Sequence, residues 1–166
     1  TRYTAARGLP QLREAISGFY AQRYGVNIDP QRILITPGGS GALLLASSLL
    51  VDPGKHWLLA DPGYPCNRHF LRLVEGAAQL VPVGPEVRYQ LNADLVERYW
   101  DQDSVGALVA SPANPTGTLL SRDELADLSR ALRERGGHLV VDEIYHGLTY
   151  GVDAASVLEV DDAAFV

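Results

Sequence analysis

Three short segments of this chain carry residue types that could hold a charged ligand. The first is Gly38-Gly39-Ser40-Gly41. Glycines let backbone N–H groups approach an anion, and a helix opening there adds a favourable dipole. The segment is therefore a candidate phosphate cradle, with a glycine-rich tight turn as the alternative. It is not a Walker loop, because no Gly-Lys-Ser/Thr follows, and it is not G-x-G-x-x-G. A nucleophile elbow around Ser40 would need glycine where Ala42 stands. The second segment is Ser111-Pro112-Ala113-Asn114-Pro115-Thr116-Gly117. Two prolines around one asparagine fix the backbone and hold an amide in place, and either X–Pro bond could be cis. An ordinary stiff loop is the alternative. The third is Asp142-Glu143-Ile144-Tyr145. A carboxylate leaving a buried strand is costly unless a cation or several donors meet it. Asp142 either faces a cationic ligand atom or caps a helix.

The flanking pattern supplies the elements that place these segments. Apolar runs of strand length alternate with helix-length amphipathic stretches. Residues 9–23 carry Leu9, Leu12, Ile16, Phe19 and Tyr20 at helical spacing, with Gly25 as the stop. Residues 33–36 read as a short strand, 42–50 as a buried helix, 57–60 as a strand and 67–74 as a helix. Residues 79–83 read as a strand, 92–100 as a helix and 106–110 as a strand. Ser121 and Glu124 form a capping-box pattern that opens a helix to about residue 135. Residues 139–141 are a strand, and 164–166 open another. Repetition of strand, loop and helix implies right-handed βαβ units and an α/β fold: a mostly parallel sheet with helices on both faces, in three layers. In such sheets ligands bind beyond the carboxyl ends of the strands. All three segments directly follow a predicted strand.

Composition narrows the possibilities. The chain has 166 residues, 46% apolar and 20% charged, with a net charge of −6. A compact domain of this size buries about 68–70% of its unfolded surface. Cys66 is the single cysteine, so no intrachain disulfide forms and nothing points to secretion. The expected location is the cytoplasm. The 14 basic residues are scattered, which argues against nucleic acid. No apolar run approaches the roughly 20 residues of a membrane span. His56, His69, His138 and His146 show no metal-ligand spacing with Cys66 or the carboxylates, so no metal site is expected. His146 is expected on the surface or in a loop, and Cys66 as a small packed residue.

Several motifs then share one order. Tyr3, Gly8, Leu12-Arg13, Thr36-Pro37-Gly38-Gly39, Pro53-Gly54, Pro62-Gly63-Tyr64-Pro65, Asn114-Pro115-Thr116-Gly117 and Asp142-Glu143-Ile144-Tyr145 run through essentially the whole chain. In that order they resemble the class I/II aminotransferases, fold-type I enzymes that use pyridoxal 5′-phosphate. The resemblance implies that Asp142 pairs with the protonated pyridine nitrogen, keeping the ring an electron sink. It implies that Asn114 and Tyr145 hydrogen-bond the ring's phenolic oxygen, that Asn114 also touches the substrate carboxylate, and that Tyr64 stacks on the ring. Gly39 and Ser40 would bind the cofactor phosphate, and Tyr3 the phosphate held in the other subunit of a homodimer. The substrates would be an amino acid and a 2-oxo acid.

The family's defining lysine, which joins the cofactor as a Schiff base and carries the α-proton, is not matched. It is expected beyond Val166, so no catalytic residue is assigned within these residues. Lys55, the single lysine, stands in the turn Pro53-Gly54-Lys55 and is no substitute. The chain therefore reads as a partial large, cofactor-binding domain spanning residues 1–166, lacking the small domain and inactive alone. In the family's sheet another strand separates 33–36 from the rest; without it residues 33–36 lose their neighbour, and the open edges invite association. Other pyridoxal-phosphate chemistry on the same fold, such as β-elimination, and a non-catalytic binding module remain open.

Overall fold

The computed structural model describes residues 3 and 5–166. Its residues fall into two compact units, Thr1–Ala42 and Leu43–Val166.

In the first unit, α1 (Pro10–Tyr24) starts on a proline, whose missing N–H costs nothing at a helix start. It ends at Gly25, which takes the left-handed conformation at φ 69°. Arg13 Nη1 donates to the Pro30 carbonyl at 2.8 Å, and Ser17 Oγ to that of Ile28 at 2.6 Å. These bonds tie the chain after α1 back onto the helix. Gly8 has φ +90°, and a Cβ there would sit 2.5 Å from the Ile35 side chain. Only glycine allows the close approach in which Ile35 N–H donates to the Arg7 carbonyl at 3.1 Å. Residues 33–36, predicted as a strand, are extended but join no sheet among the described residues. A strand exists only through its neighbours, and among the described residues this segment makes the single long-range Ile35–Arg7 backbone bond rather than a ladder. Helix α2 (Gly38–Leu50) begins in this unit. It starts four residues earlier than its apolar run, so the glycine-rich segment read as a turn forms its first turn.

The second unit holds a four-stranded parallel sheet in the order β2-β1-β3-β4. The strands are β1 (His56–Asp61), β2 (Ala77–Pro82), β3 (Ser104–Ala110) and β4 (His138–Asp142). The helices are α3 (Asn67–Leu73), α4 (Ala93–Tyr99) and α5 (Arg122–Arg133). Side chains alternate between the two faces. Leu58, Ala107, Val109, Leu139 and Val141 face a core completed by Leu95, Leu125, Leu128 and Leu132 of α4 and α5. Trp57, Leu59, Leu108 and Val140 face a second core with Leu43 of α2 and Leu71 of α3. The continuous apolar strands are thus buried on both sides, which makes three layers.

Local signals set the helix starts. The Asn92 side chain accepts from Leu95 N–H at 2.9 Å, and the Ser121–Glu124 capping box is formed. Beyond β4 the chain makes a short 3₁₀ turn, Val157–Glu159, under its own capping box from Ser156 and Glu159. Phe165 then bridges Val140 in parallel, at the place read as the opening of a further strand. No described helix is long and apolar enough to cross a membrane.

Candidate functional site

The strands β1, β3 and β4 deliver their carboxyl ends side by side. Ala110 and Asp142 are paired residues of β3 and β4, and Ser111 N–H donates to the Asp142 carbonyl at 3.1 Å. Beyond Ala110 the chain closes a tight loop. Ala113 N–H donates to the Thr118 carbonyl at 2.8 Å, and Gly117 N–H to that of Ala113 at 2.7 Å. Ser111 Oγ accepts from Leu120 N–H at 3.0 Å. The Asp61-Pro62, Ser111-Pro112 and Asn114-Pro115 bonds are cis.

Sequence reasoning passed over Gln90, which braces this loop. Its side chain is buried, and Nε2 donates to the carbonyls of Ala110 at 3.1 Å and Thr118 at 3.0 Å, one on each side of Asn114. No motif marks Gln90; a buried amide is visible only once its partners are placed. It is preceded by two non-glycine residues with positive φ, Arg88 at 53° and Tyr89 at 58°. Each such residue costs about 1–2 kcal/mol, so the surroundings hold this bend against its local preference.

Asn114 Nδ2 donates to the Tyr145 hydroxyl at 3.3 Å. The structure thus brings together two residues expected at one ligand oxygen. Asn114 lines a cleft of about 170 Å³ with Asp61, Tyr64, Tyr89 and Gln90, and a broader one of about 490 Å³ with Tyr145, Leu148 and Tyr150. Tyr64 is 36% exposed. Its hydroxyl is held above its ordinary pKa, first by the hydrogen bond with Cys66, then by the Cys66 charge, burial, and the charges of Tyr145 and Asp142. Cys66 therefore does more than fill space. Tyr64 also lies within electrostatic reach of both Asp142 and Tyr145.

Asp142 ends β4 and is half-buried. Its Oδ1 accepts from Ile144 N–H at 3.1 Å, so it caps a turn rather than a helix. In that turn His146 N–H donates to the Glu143 carbonyl and Leu148 N–H to that of Tyr145, at 2.9 and 3.0 Å. His146, expected on the surface or in a loop, belongs to this turn, and its side chain is buried at 7% exposure beside Glu143. The i,i+3 spacing of Glu143 and His146 was the available signal.

The remaining candidates belong to the first unit. Gly39 and Ser40 are exposed in the first turn of α2, where backbone N–H groups lack intrahelical acceptors. Gly38 has φ +76°, its N–H donates to the Thr36 carbonyl, and Thr36 Oγ1 donates to the Gly38 carbonyl, each at 2.8 Å. Tyr3 is fully exposed. Lys55 pairs with Asp103 at 2.8 Å, at the start of β1 rather than at the carboxyl ends of the strands.

Known proteins share this fold. The family described as aminotransferase class I and II matches residues 1–166. The valine–pyruvate aminotransferase of Mycobacterium tuberculosis is 40% identical over 148 residues, covering 89% of this chain and 38% of the relative. The 1-aminocyclopropane-1-carboxylate synthase 2 of Arabidopsis thaliana is 34% identical over 163 residues, covering 92% of this chain and 33% of the relative. A crystal structure of an aminotransferase from Mycobacterium tuberculosis superposes with a TM-score of 0.92 at 36% identity, covering 98% of this chain and 45% of that one. The chain therefore spans well under half the length of these relatives. Family model, relatives and architecture agree, and the chain belongs to the class I and II aminotransferases.

Proposed function

We propose that this chain is the cofactor-binding part of a large domain that transfers an amino group between an amino acid and a 2-oxo acid, using pyridoxal 5′-phosphate. The observation that carries the reading is the Asn114–Tyr145 hydrogen bond at the carboxyl ends of β3 and β4, with Tyr64 and Asp142 beside it. A carboxylate, an amide, a phenol and an aromatic face are the groups a cationic aromatic ring with a phenolic oxygen requires. The donor set fits the cofactor. When bound, the cofactor supplies an electron sink for the pair released with the substrate's α-proton.

The chain's own residues bind and orient. Asp142 would keep the ring nitrogen protonated, and Asn114 and Tyr145 would hold the ring oxygen. Tyr64 would cover one ring face, and Asn114 would also meet the substrate carboxylate. Gly39 and Ser40 are assigned the phosphate by the family resemblance, and Tyr3 the phosphate of the partner subunit in a homodimer. The lysine that carries the proton in the family is not matched among residues 1–166, and none of these residues is assigned that role. A cytoplasmic location belongs to the same proposal.

The test uses the full-length protein with pyridoxal phosphate and a panel of amino acids. Release of a 2-oxo acid that requires a second 2-oxo acid as acceptor supports amino transfer. The relationship to a protein named as a synthase, 1-aminocyclopropane-1-carboxylate synthase 2, favours a second reading, a reaction other than amino transfer on the same fold, such as β-elimination. Turnover of an amino acid without any acceptor would establish that reading instead. Failure to bind pyridoxal phosphate at all would leave a non-catalytic module.

A further inference from the structure

The turn after β4 presents two pairs of residues at i,i+3 spacing. Asp142 and Tyr145 belong to the candidate site. Glu143 and His146 point inward, with side chains only 5% and 7% exposed, and Glu143 Oε2 lies 3.5 Å from His146 Nδ1. The other carboxylate oxygen, Oε1, accepts from Val157 N–H at 2.8 Å. Val157 and Ser156 are fully buried, and Val157 packs in the core shared with α5. Glu143 thus fastens the site's turn to a buried 3₁₀ turn. Its Oε2 is buried with no hydrogen-bond partner.

We infer that Glu143 and His146 are positioning residues, an inward acid–base pair whose proton count sets the placement of Tyr145 and so couples ligand binding to pH. The ligand half of this inference rests on the function proposed above; the positioning half does not. The charged surroundings favour a proton on the pair. Burial pushes the Glu143 carboxyl up to about 7, bonds from Val157 and Ser156 oppose this, and the negative charges of Glu159 and Asp142 reinforce it. Glu159 is itself 3.8 Å from the Arg122 guanidinium of α5. A buried carboxylate that gains charge without water to receive it must move or draw its partners closer. Imidazole is the side chain whose ordinary titration lies in the same range. Glu143 directly follows Asp142 in the chain, and the Glu143 carbonyl closes the turn in which Tyr145 sits.

The experiment labels tyrosine rings with carbon-13 in the full-length protein and assigns the Tyr145 signal by its loss in Tyr145→Phe. Without cofactor, the native Tyr145 signal is expected to move with a midpoint near pH 7. In Glu143→Gln that movement should vanish, and Glu143→Asp should restore part of it. His146→Gln provides a second route if Glu143→Gln does not fold, and should shift the midpoint upward, because it removes a neighbour able to carry the opposing positive charge. A Tyr145 signal that is flat with pH, or that moves identically in native protein and both Gln variants, overturns the inference. With pyridoxal phosphate added, the ratio of dissociation constants, Glu143→Gln over native, should change several-fold across the same pH range. A constant ratio would reduce the pair to a structural contact and overturn the coupling. Absence of binding by the native protein at every pH would overturn the coupling and the proposed function, while the cofactor-free titration still decides the positioning.

Discussion

The Asn114 amide donates to the Tyr145 hydroxyl across 3.3 Å, joining the loop after β3 to the turn after β4 over 31 residues of chain. The bond fixes two groups relative to each other before any ligand arrives. Preorganisation of this kind lowers the cost of binding. A neutral hydrogen bond contributes about 1 kcal/mol net, so Asn114→Ala and Tyr145→Phe should each weaken pyridoxal phosphate binding roughly fivefold. Because the residues touch, the double variant should lose less than the two single losses combined. Absorbance titrations of the full-length proteins measure this, and strict additivity would refute a shared role.

Gln90 should matter to stability out of proportion to its distance from the chemistry. Gln90→Leu keeps most of the volume but removes the side-chain donor to the Ala110 carbonyl and one of the two donors to the Thr118 carbonyl, which keeps Ala113 N–H. Leaving a buried acceptor unpaired costs about 1–3 kcal/mol. Urea unfolding should register at least the lower figure, with a matching loss of cofactor affinity as the Asn114 loop loosens. Unchanged stability would mean that the loop holds itself.

The pH dependence of stability carries a sign that can be checked. Burial raises the Glu143 carboxyl from 4.5 to about 7 in the folded protein. The folded state then binds this proton more tightly than the unfolded one. The contribution is fully present below about pH 4.5 and is lost as pH rises through about 7. At about 1.4 kcal/mol per pH unit of difference, the loss is about 3.5 kcal/mol at most. Unfolding midpoints measured across that window should fall with rising pH in native protein and less steeply in Glu143→Gln.

Two glycines separate backbone crowding from side-chain crowding. A Cβ on Gly106 would lie 2.4 Å from the His138 carbonyl oxygen, within the β3–β4 ladder. One on Gly137 would lie 2.3 Å from the ring of Trp100. Overpacking costs about 1–3 kcal/mol. Gly106→Ala should be the worse of the two, because an indole can shift and a paired strand cannot. Thermal denaturation of both variants orders them.

The sequence made the sheet and its ends legible wherever the controlling physics was local. Ser121 and Glu124 lie three residues apart and form their capping box as read. The strands through Leu58, Leu108 and Val140 announced themselves because both faces are buried, leaving no polar alternation. Residues 33–36 had the right composition for a strand, but pairing depends on a neighbour that composition does not supply. His146 lies in a turn, in keeping with a loop placement, but its burial was not legible for a related reason. Its burial depends on Glu143 and on the segment around Val157, whose Val157–Glu159 turn is too short for periodicity to reveal. Asn114, Asp142 and Tyr145 were legible as a set through motif order, whereas Gln90 and Cys66 act through partners distant or unremarkable in sequence.

The strand order β2-β1-β3-β4, with Phe165 bridging the far side of β4, has a consequence for assembly. Once β1 and β2 are paired, every later strand joins the same growing edge in the order of its synthesis. None has to be threaded between strands already joined, and each finds a finished template when it emerges. This four-stranded sheet can therefore build itself vectorially, from the amino end forward.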